Sequence, residues 1–102
     1  MSAASVSLAP TGELLLAGVL DYRSGPALRM AGGKLIAQHA ASNLSLSCAA
    51  VEKSSSVGLS LLLAFMRDAQ AAGKSLVVRE LPADMREIAQ VCGLLELLPL
   101  QA

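Results

Sequence analysis

Three consecutive serines, Ser54, Ser55 and Ser56, are the side chains of this 102-residue chain that could most readily do chemistry. They lie between an apolar run with strand periodicity and an apolar run typical of a helix. Hydroxyl groups at such a junction can cap the helix by accepting hydrogen bonds from its first free N–H groups. The positive end of the helix dipole would also tolerate an anion or a phosphate there. The sequence therefore predicts either a plain helix cap or a binding or switch surface.

The other reactive side chains form no catalytic or metal-binding pattern. His39 is the single histidine; nothing pairs it with a nucleophile, and we expect it on the surface. Cys48 and Cys92 lack the spacing of a zinc site and are expected to be reduced and buried. Gly32-Gly33 lacks the surrounding pattern of a phosphate-binding loop. We therefore predict no enzyme activity, no metal and no cofactor.

The composition predicts a small soluble domain with an aliphatic core. Hydrophobic residues make up 54% of the chain, yet it has one Phe, one Tyr and no Trp. The net charge is zero and the basic residues are scattered, which argues against binding to nucleic acid or to an anionic membrane surface. The apolar run 61–66 is far shorter than the roughly 20 residues of a membrane span. The start of the chain lacks the pattern of a signal peptide, so we expect a cytoplasmic protein.

Alternating strand and helix patterns indicate how the serine junction is positioned. The predicted strands are Val6–Leu8, Glu13–Leu20, Leu44–Val51 and Lys74–Arg79. The predicted helices run from a Ser24 cap to about Gln38, from Val57 to Ala71, and from Pro82 to a stop at Gly93. An apolar tail, Leu94–Leu100, must pack against something. This order predicts a single α/β domain over residues 1–102, with a small mixed sheet of about four strands and parallel crossovers.

The central helix is unusually apolar on both of its sides. At about 100° per residue, one side forms the expected core face: Leu59, Leu62, Leu63, Met66 and Ala69. The opposite side carries mainly small and apolar residues: Ser56, Val57, Ser60, Leu61, Ala64, Arg67 and Asp68. Either the helix is buried more widely than average, or this side binds a partner. In the second case Leu61 would be an exposed apolar anchor, and Arg67 and Asp68 would form its polar rim.

The strand followed by Ser55-Ser56-Val57-Gly58-Leu59, then Leu61-Leu62-Leu63 and a helix ending at Gly73, resembles the STAS domain family. That family includes anti-sigma factor antagonists. The resemblance implies a STAS-like α/β fold and a non-catalytic binding role. It places Ser56 at the Ser or Thr that a kinase phosphorylates in the antagonist branch. Ser55 stands where most members have Asp, which removes a negative charge from the start of the helix.

Within the family, three segments resemble the stand-alone STAS subunits of Mla-type phospholipid ABC transporters of Gram-negative bacteria: 18–22, 58–63 and 97–99. This resemblance implies a cytoplasmic protein that is peripheral to the inner membrane and binds the ATPase subunit through the motif helix. The complex also contains permease and substrate-binding subunits and maintains outer-membrane lipid asymmetry. The partner-binding residues would be Ser55, Ser56, Val57, Ser60, Leu61, Ala64, Arg67 and Asp68. The alternative is an anti-sigma factor antagonist regulated by phosphorylation of Ser56.

Overall fold

Four strands form one mixed sheet in the order in which they occur along the chain. The computed structural model describes residues 4–100. The strands are β1 (Ser5–Leu8), β2 (Leu14–Leu20), β3 (Asn43–Ser54) and β4 (Ser75–Arg79). The helices are α1 (Gly25–Gln38), α2 (Ser56–Ala71) and α3 (Ala83–Val91), with a 3₁₀ turn at Leu95–Leu97. The predicted α/β class and the four-stranded sheet are confirmed. The absence of a signal peptide and a single domain over residues 1–102 remain predictions, because both extend outside the described residues.

Two kinds of connection build the sheet. β1 and β2 form an antiparallel hairpin, whereas β2, β3 and β4 are parallel to one another. Helices α1 and α2 supply the two crossovers between the parallel strands, as the sequence order requires. β3 continues three residues past the predicted end at Val51, because Lys53 and Ser54 still pair with Val19 and Leu20 of β2. This extension brings the serine junction to the end of the sheet.

The core is aliphatic, as the composition predicts, with one aromatic ring at its centre. Alternate residues of β2 (Leu14, Leu16 and Leu20) point into it, and Phe65 of α2 is 1% exposed. Burial of such side chains is the main stabilising contribution to a domain of this size. Leu98 is also buried, and the Val78 amide donates to the Pro99 carbonyl at 2.8 Å, so this part of the predicted C-terminal tail packs against the sheet, whereas Leu97 is 59% exposed.

Helix α2 is buried over a wider arc than its predicted core face. Leu59, Leu62 and Ala69 are buried as expected, but Leu63 and Met66 are only half-buried. Two residues outside the predicted face, Leu61 and Phe65, are buried instead, at 4% and 1% exposure. The reason is that α1 packs beside α2 and covers the side that carries them.

Gly32 allows this close approach of the two helices. A Cβ atom at Gly32 would collide with the ring of Phe65, so the absence of a side chain makes room for the phenyl group. The sequence left open whether the Gly32-Gly33 pair marks a kink or close packing. For Gly32 the structure selects close packing.

His39 was predicted to lie on the surface, but its side chain is half-buried. Its Nε2 atom lies 2.8 Å from the Gly12 carbonyl, and its Nδ1 accepts a hydrogen bond from the Ala41 amide at 3.0 Å. The half-buried ring therefore joins the end of α1 to the β1–β2 turn. Lys74 reinforces the same helix end by donating to the carbonyls of Ile36 and His39.

The two cysteines occupy different environments. Both are free thiols; Cys48 is buried in β3, and its burial raises the pKa of the thiol to about 12. Cys92 is exposed, so the prediction that it is buried is wrong. The reason is that α3 is short and ends at Val91, which puts Cys92 at its solvent-facing end.

Candidate functional site

The junction between β3 and α2 is fixed by hydrogen bonds of Ser55. Ser55 has extended backbone angles, and its Oγ accepts a hydrogen bond from the Val57 amide at 3.2 Å. Its own amide donates to the Leu20 carbonyl at 3.0 Å. Ser55 is therefore the N-cap of α2, which confirms the cap predicted at this junction.

Ser54 ties the junction to the first turn of α3. Its amide donates to the Asp84 carboxylate at 3.3 Å, and its hydroxyl donates to the Ser55 carbonyl at 2.7 Å. Gly58 lies directly against the Ser54 side chain, and a Cβ atom there would also come within 3.0 Å of Met85. The start of α2 is thus held from two directions, and its position relative to the sheet is well defined.

Ser56 stands at the surface, one residue beyond the cap. It is the first residue of α2 and is exposed, so its hydroxyl can meet a partner. Val57, the next residue, packs instead towards Gly25 at the start of α1, where a Cβ atom would lie 2.9 Å from Cγ1 of Val57. The junction therefore presents Ser56 outwards beside the seam between α1 and α2.

A groove follows this seam along both helices, and we call it the α1–α2 groove. Its first part has a volume of about 420 Å³ and is lined by Tyr22, Gly25, Pro26, Arg29, Val57, Ser60, Leu61 and Ala64. Its second part has a volume of about 780 Å³ and is lined by Pro26, Arg29, Met30, Gly33, Lys34, Ala37, Asp68, Ala71 and Ala72. Pro26 and Arg29 line both parts, so the two parts adjoin each other at these residues. The walls of the groove are mainly apolar and small.

Five of the eight predicted site residues line this groove. Val57, Ser60, Leu61 and Ala64 line its first part, and Asp68 lines its second part. Ser55, Ser56 and Arg67 are exposed but line neither part. The expectation that Leu61 is an exposed anchor is wrong, since the residue is buried beneath α1 and forms the floor of the groove.

The sequence reasoning missed the wall contributed by α1 and by the loop before it. Tyr22 and Met30 are 72% and 68% exposed beside the groove. Arg29 forms an ion pair with Asp68 of α2, which bridges the two helices. The sequence does carry one signal for this wall, because α1 has two basic residues and no acidic one.

Catalytic and metal-binding geometry can be checked across residues 4–100. In this range, no three histidine, cysteine, aspartate or glutamate side chains lie close enough to hold a metal ion. In the same range, no helix has the length and hydropathy needed to cross a membrane. The groove offers mainly apolar walls and three charged groups: Arg29, Lys34 and Asp68.

Comparison with protein families assigns the chain. A family model described as "Mlab, STAS domain" matches residues 6–99. The chain belongs to the STAS domain family. The match makes this STAS domain most like MlaB, and it includes the Ser55–Ser56 junction and both helices of the groove. No curated protein sequence matches the chain significantly.

Solved structures confirm the STAS fold. An anti-sigma factor antagonist from Mycobacterium paratuberculosis is 25% identical, with a TM-score of 0.74 over 96% of this chain and 83% of that one. The unphosphorylated anti-sigma factor antagonist SpoIIAA is 19% identical, with a TM-score of 0.72 over 97% and 86% of the two chains. Phosphorylated SpoIIAA, a Bacillus cell fate determinant, is 20% identical, with a TM-score of 0.66 over 97% and 89%.

Proposed function

We propose that this STAS domain is a non-catalytic subunit of an Mla-type phospholipid ABC transporter. It binds the cytoplasmic ATPase subunit, in a complex that also contains permease and substrate-binding subunits, and supports the assembly or activity of that complex. It is cytoplasmic and peripheral to the inner membrane through the complex, which maintains outer-membrane lipid asymmetry. The observation that carries the proposal is the match of residues 6–99 to the MlaB-type family model.

The geometry of the site supports a binding role. Ser56 is exposed at the start of α2, which Ser54 and Ser55 hold by hydrogen bonds, and the α1–α2 groove begins at the next residue, Val57. Exposed Tyr22 and Met30 flank the groove, and side chains of these types are enriched in protein interfaces. A surface with a fixed frame and exposed apolar side chains suits docking with little conformational cost.

A second candidate is an anti-sigma factor antagonist that is regulated by phosphorylation of Ser56. The observation that favours it is the likeness to the Mycobacterium paratuberculosis antagonist, together with the exposure of Ser56. A phosphate on Ser56 would add about two negative charges beside a largely apolar groove and would eject an apolar partner. Ser55, where most of the family has Asp, disfavours this candidate, because the negative charge that accompanies the phosphorylated hydroxyl is missing.

Co-purification distinguishes the two candidates. The tagged protein is isolated from its own cells, and the bound proteins are identified by mass spectrometry. The proposal predicts recovery of an ABC ATPase with its permease. Recovery of a serine kinase that partners a sigma factor would overturn it in favour of the second candidate. Recovery of neither class from cells that express the transporter would also overturn it.

A further inference from the structure

The two groove helices and the segment around α3 carry opposite net charges. Helices α1 and α2 carry three basic residues (Arg29, Lys34 and Arg67) against a single acidic one, Asp68. The segment from Glu80, directly after β4, to the 3₁₀ turn has the opposite balance, with four acidic residues against Arg86: Glu80, Asp84, Glu87 and Glu96. The two helices that form the groove therefore carry a net positive charge, although the whole chain is neutral.

Two of the basic groups on the groove side are available to a partner. Arg29 is already paired with Asp68, and this pair crosses the groove. Lys34 and Arg67 are exposed, and neither makes an ion pair within residues 4–100. Lys34 lines the second part of the groove, and Arg67 lies on the neighbouring surface of α2. An occupant of the groove would thus find unpaired positive charge beside it.

The dimensions of the groove suit one helix. From Pro26 to Ala37 it follows α1 for about 16 Å, at 1.5 Å per residue, or three helical turns. Small residues line much of the channel (Gly33, Ala37, Ala64, Ala71 and Ala72), and the Arg29–Asp68 ion pair crosses it at Gly33. An amphipathic helix places apolar anchors at i, i+3, i+4 and i+7, and a groove of this length accepts such a set.

From the apolar channel and its unpaired basic groups, we infer that the α1–α2 groove binds an acidic amphipathic helix of the partner protein. The apolar stripe of that helix lies on Leu61, Ala64 and Ala71, and its carboxylates face Lys34 and Arg67. This inference rests on the proposed function and deepens it, because it states the chemistry of the partner segment. It also moves the centre of binding from the tip of α2 to the seam between the two helices.

The inference can be tested with two synthetic helical peptides of about 14 residues, or four turns. Both carry the same leucine stripe, and one has Glu where the other has Lys at the flanking positions. Binding of each labelled peptide to the full chain is followed by fluorescence anisotropy at low and at physiological ionic strength. We expect the Glu peptide to bind more tightly, and its advantage to shrink as salt increases.

Matched variants locate the binding site. Lys34→Glu reverses one charge in the groove, and Arg86→Glu makes the same charge change on exposed α3. We expect Lys34→Glu to lower the affinity for the Glu peptide roughly three- to tenfold. Arg86→Glu should change this affinity by less than about twofold. Equal effects of the two variants, or no preference between the peptides, would overturn the inference.

Basic groups would also attract an anionic membrane. Binding of the chain to lipid vesicles tests this alternative. Binding to phosphatidylglycerol vesicles that is lost in Lys34→Glu, without a preference between the peptides, would overturn the inference. The proposed function fails by a different result, namely the absence of the ATPase from the co-purified proteins. If the ATPase is recovered but the chain does not prefer the Glu peptide, the inference of an acidic partner helix is rejected and the proposed function is not.

Discussion

The proposed function makes Ser56 the residue at which a single added charge should change partner binding. It is exposed on the first turn of α2, at the edge of the α1–α2 groove. We expect Ser56→Glu to weaken binding of the ATPase about tenfold, because a carboxylate would have to be desolvated at an apolar contact. Ser56→Ala should change the affinity by less than about threefold. Titration of the purified partner measures both, and equal, negligible effects would remove Ser56 from the interface.

Leu61 supports the groove from inside the fold. Its side chain is 4% exposed, so Leu61→Asp would bury a carboxylate that has no basic partner. We expect a loss of about 3 kcal/mol or more in the free energy of unfolding, measured by denaturant titration. Ser60→Asp is the matched control, because Ser60 is exposed beside Leu61, and it should change stability by no more than about 0.5 kcal/mol. Equal stability of the two variants would show that Leu61 is not part of the core.

At the scale of elements, the seam between α1 and α2 depends on which glycine faces the neighbouring helix. A methyl group at Gly32 would collide with the ring of Phe65, whereas one at Gly33 would meet only the side-chain ends of Asp68 and Arg29, at 3.2 and 3.4 Å. We expect Gly32→Ala to lower the free energy of unfolding by about 1–3 kcal/mol. Gly33→Ala should range from neutral to a gain of about 1 kcal/mol, through higher helix propensity. Thermal unfolding of both variants checks this, and destabilisation by Gly33→Ala alone would contradict the packing described.

Glu13 stands directly before β2 and bonds side chains of β3 and β4. These bonds make the stability of the fold depend on pH in the acid range. The Glu13 carboxylate accepts hydrogen bonds from Ser45 at 2.8 Å and from Arg79 at 2.7 Å. These bonds, the one from Ser45 first, lower the pKa of Glu13 from its ordinary value of 4.5. Because the folded state favours the ionised form, the stabilisation is present above the ordinary pKa and is lost as pH falls through the lowered value.

The variant Glu13→Gln isolates this contribution. At neutral pH it should be less stable than the native chain, because the ion pair with Arg79 is lost. The difference should narrow below about pH 4.5, where the native carboxylate becomes protonated. Chemical denaturation at several pH values measures the difference. A gap that stays constant down to pH 3 would contradict the role assigned to Glu13.

The order of the elements was predictable from the sequence, because strand and helix periodicities differ and connections are short. The C-terminal tail and the cap of α2 were predictable for similar local reasons: an apolar run must be buried, and a serine before a helix can bond its first amides. Which side of α2 is buried could not be predicted from the sequence. It depends on α1 packing beside α2 across Gly32, which is a contact between segments more than 30 residues apart.

The candidate site shows the same division. The α2 side of the groove could be predicted from its small and apolar residues, and Ala64 and Ser60 lie where they were expected. The α1 side, with Arg29, Met30 and Lys34, was missed, because helix periodicity alone does not tell which neighbour a half-exposed face meets. Leu61 was misplaced for the same reason. The packing of one helix against another decides which apolar residues are buried at the bottom of the groove and which are exposed at its edge.

At the scale of the whole molecule, fold and function separate clearly. Two anti-sigma factor antagonists share the fold, with TM-scores of 0.72 and 0.74, while the family match is to the MlaB type. A shared fold does not determine the partner, which depends on the side chains presented at the surface. In this chain the candidate side chains are the exposed Ser55 and Ser56 and those that line the α1–α2 groove.

The most direct test of the proposed function compares variants in a co-purification from the protein's own cells. The ATPase and permease should be recovered with the native chain and with Arg86→Glu, whose charge change lies on α3. They should be lost, or reduced at least tenfold, with Ser60→Asp, which is expected to stay folded but places a charge in the groove. Recovery of the ATPase with all three proteins would contradict the groove as the docking surface. Recovery of a serine kinase in its place would contradict the transporter subunit altogether.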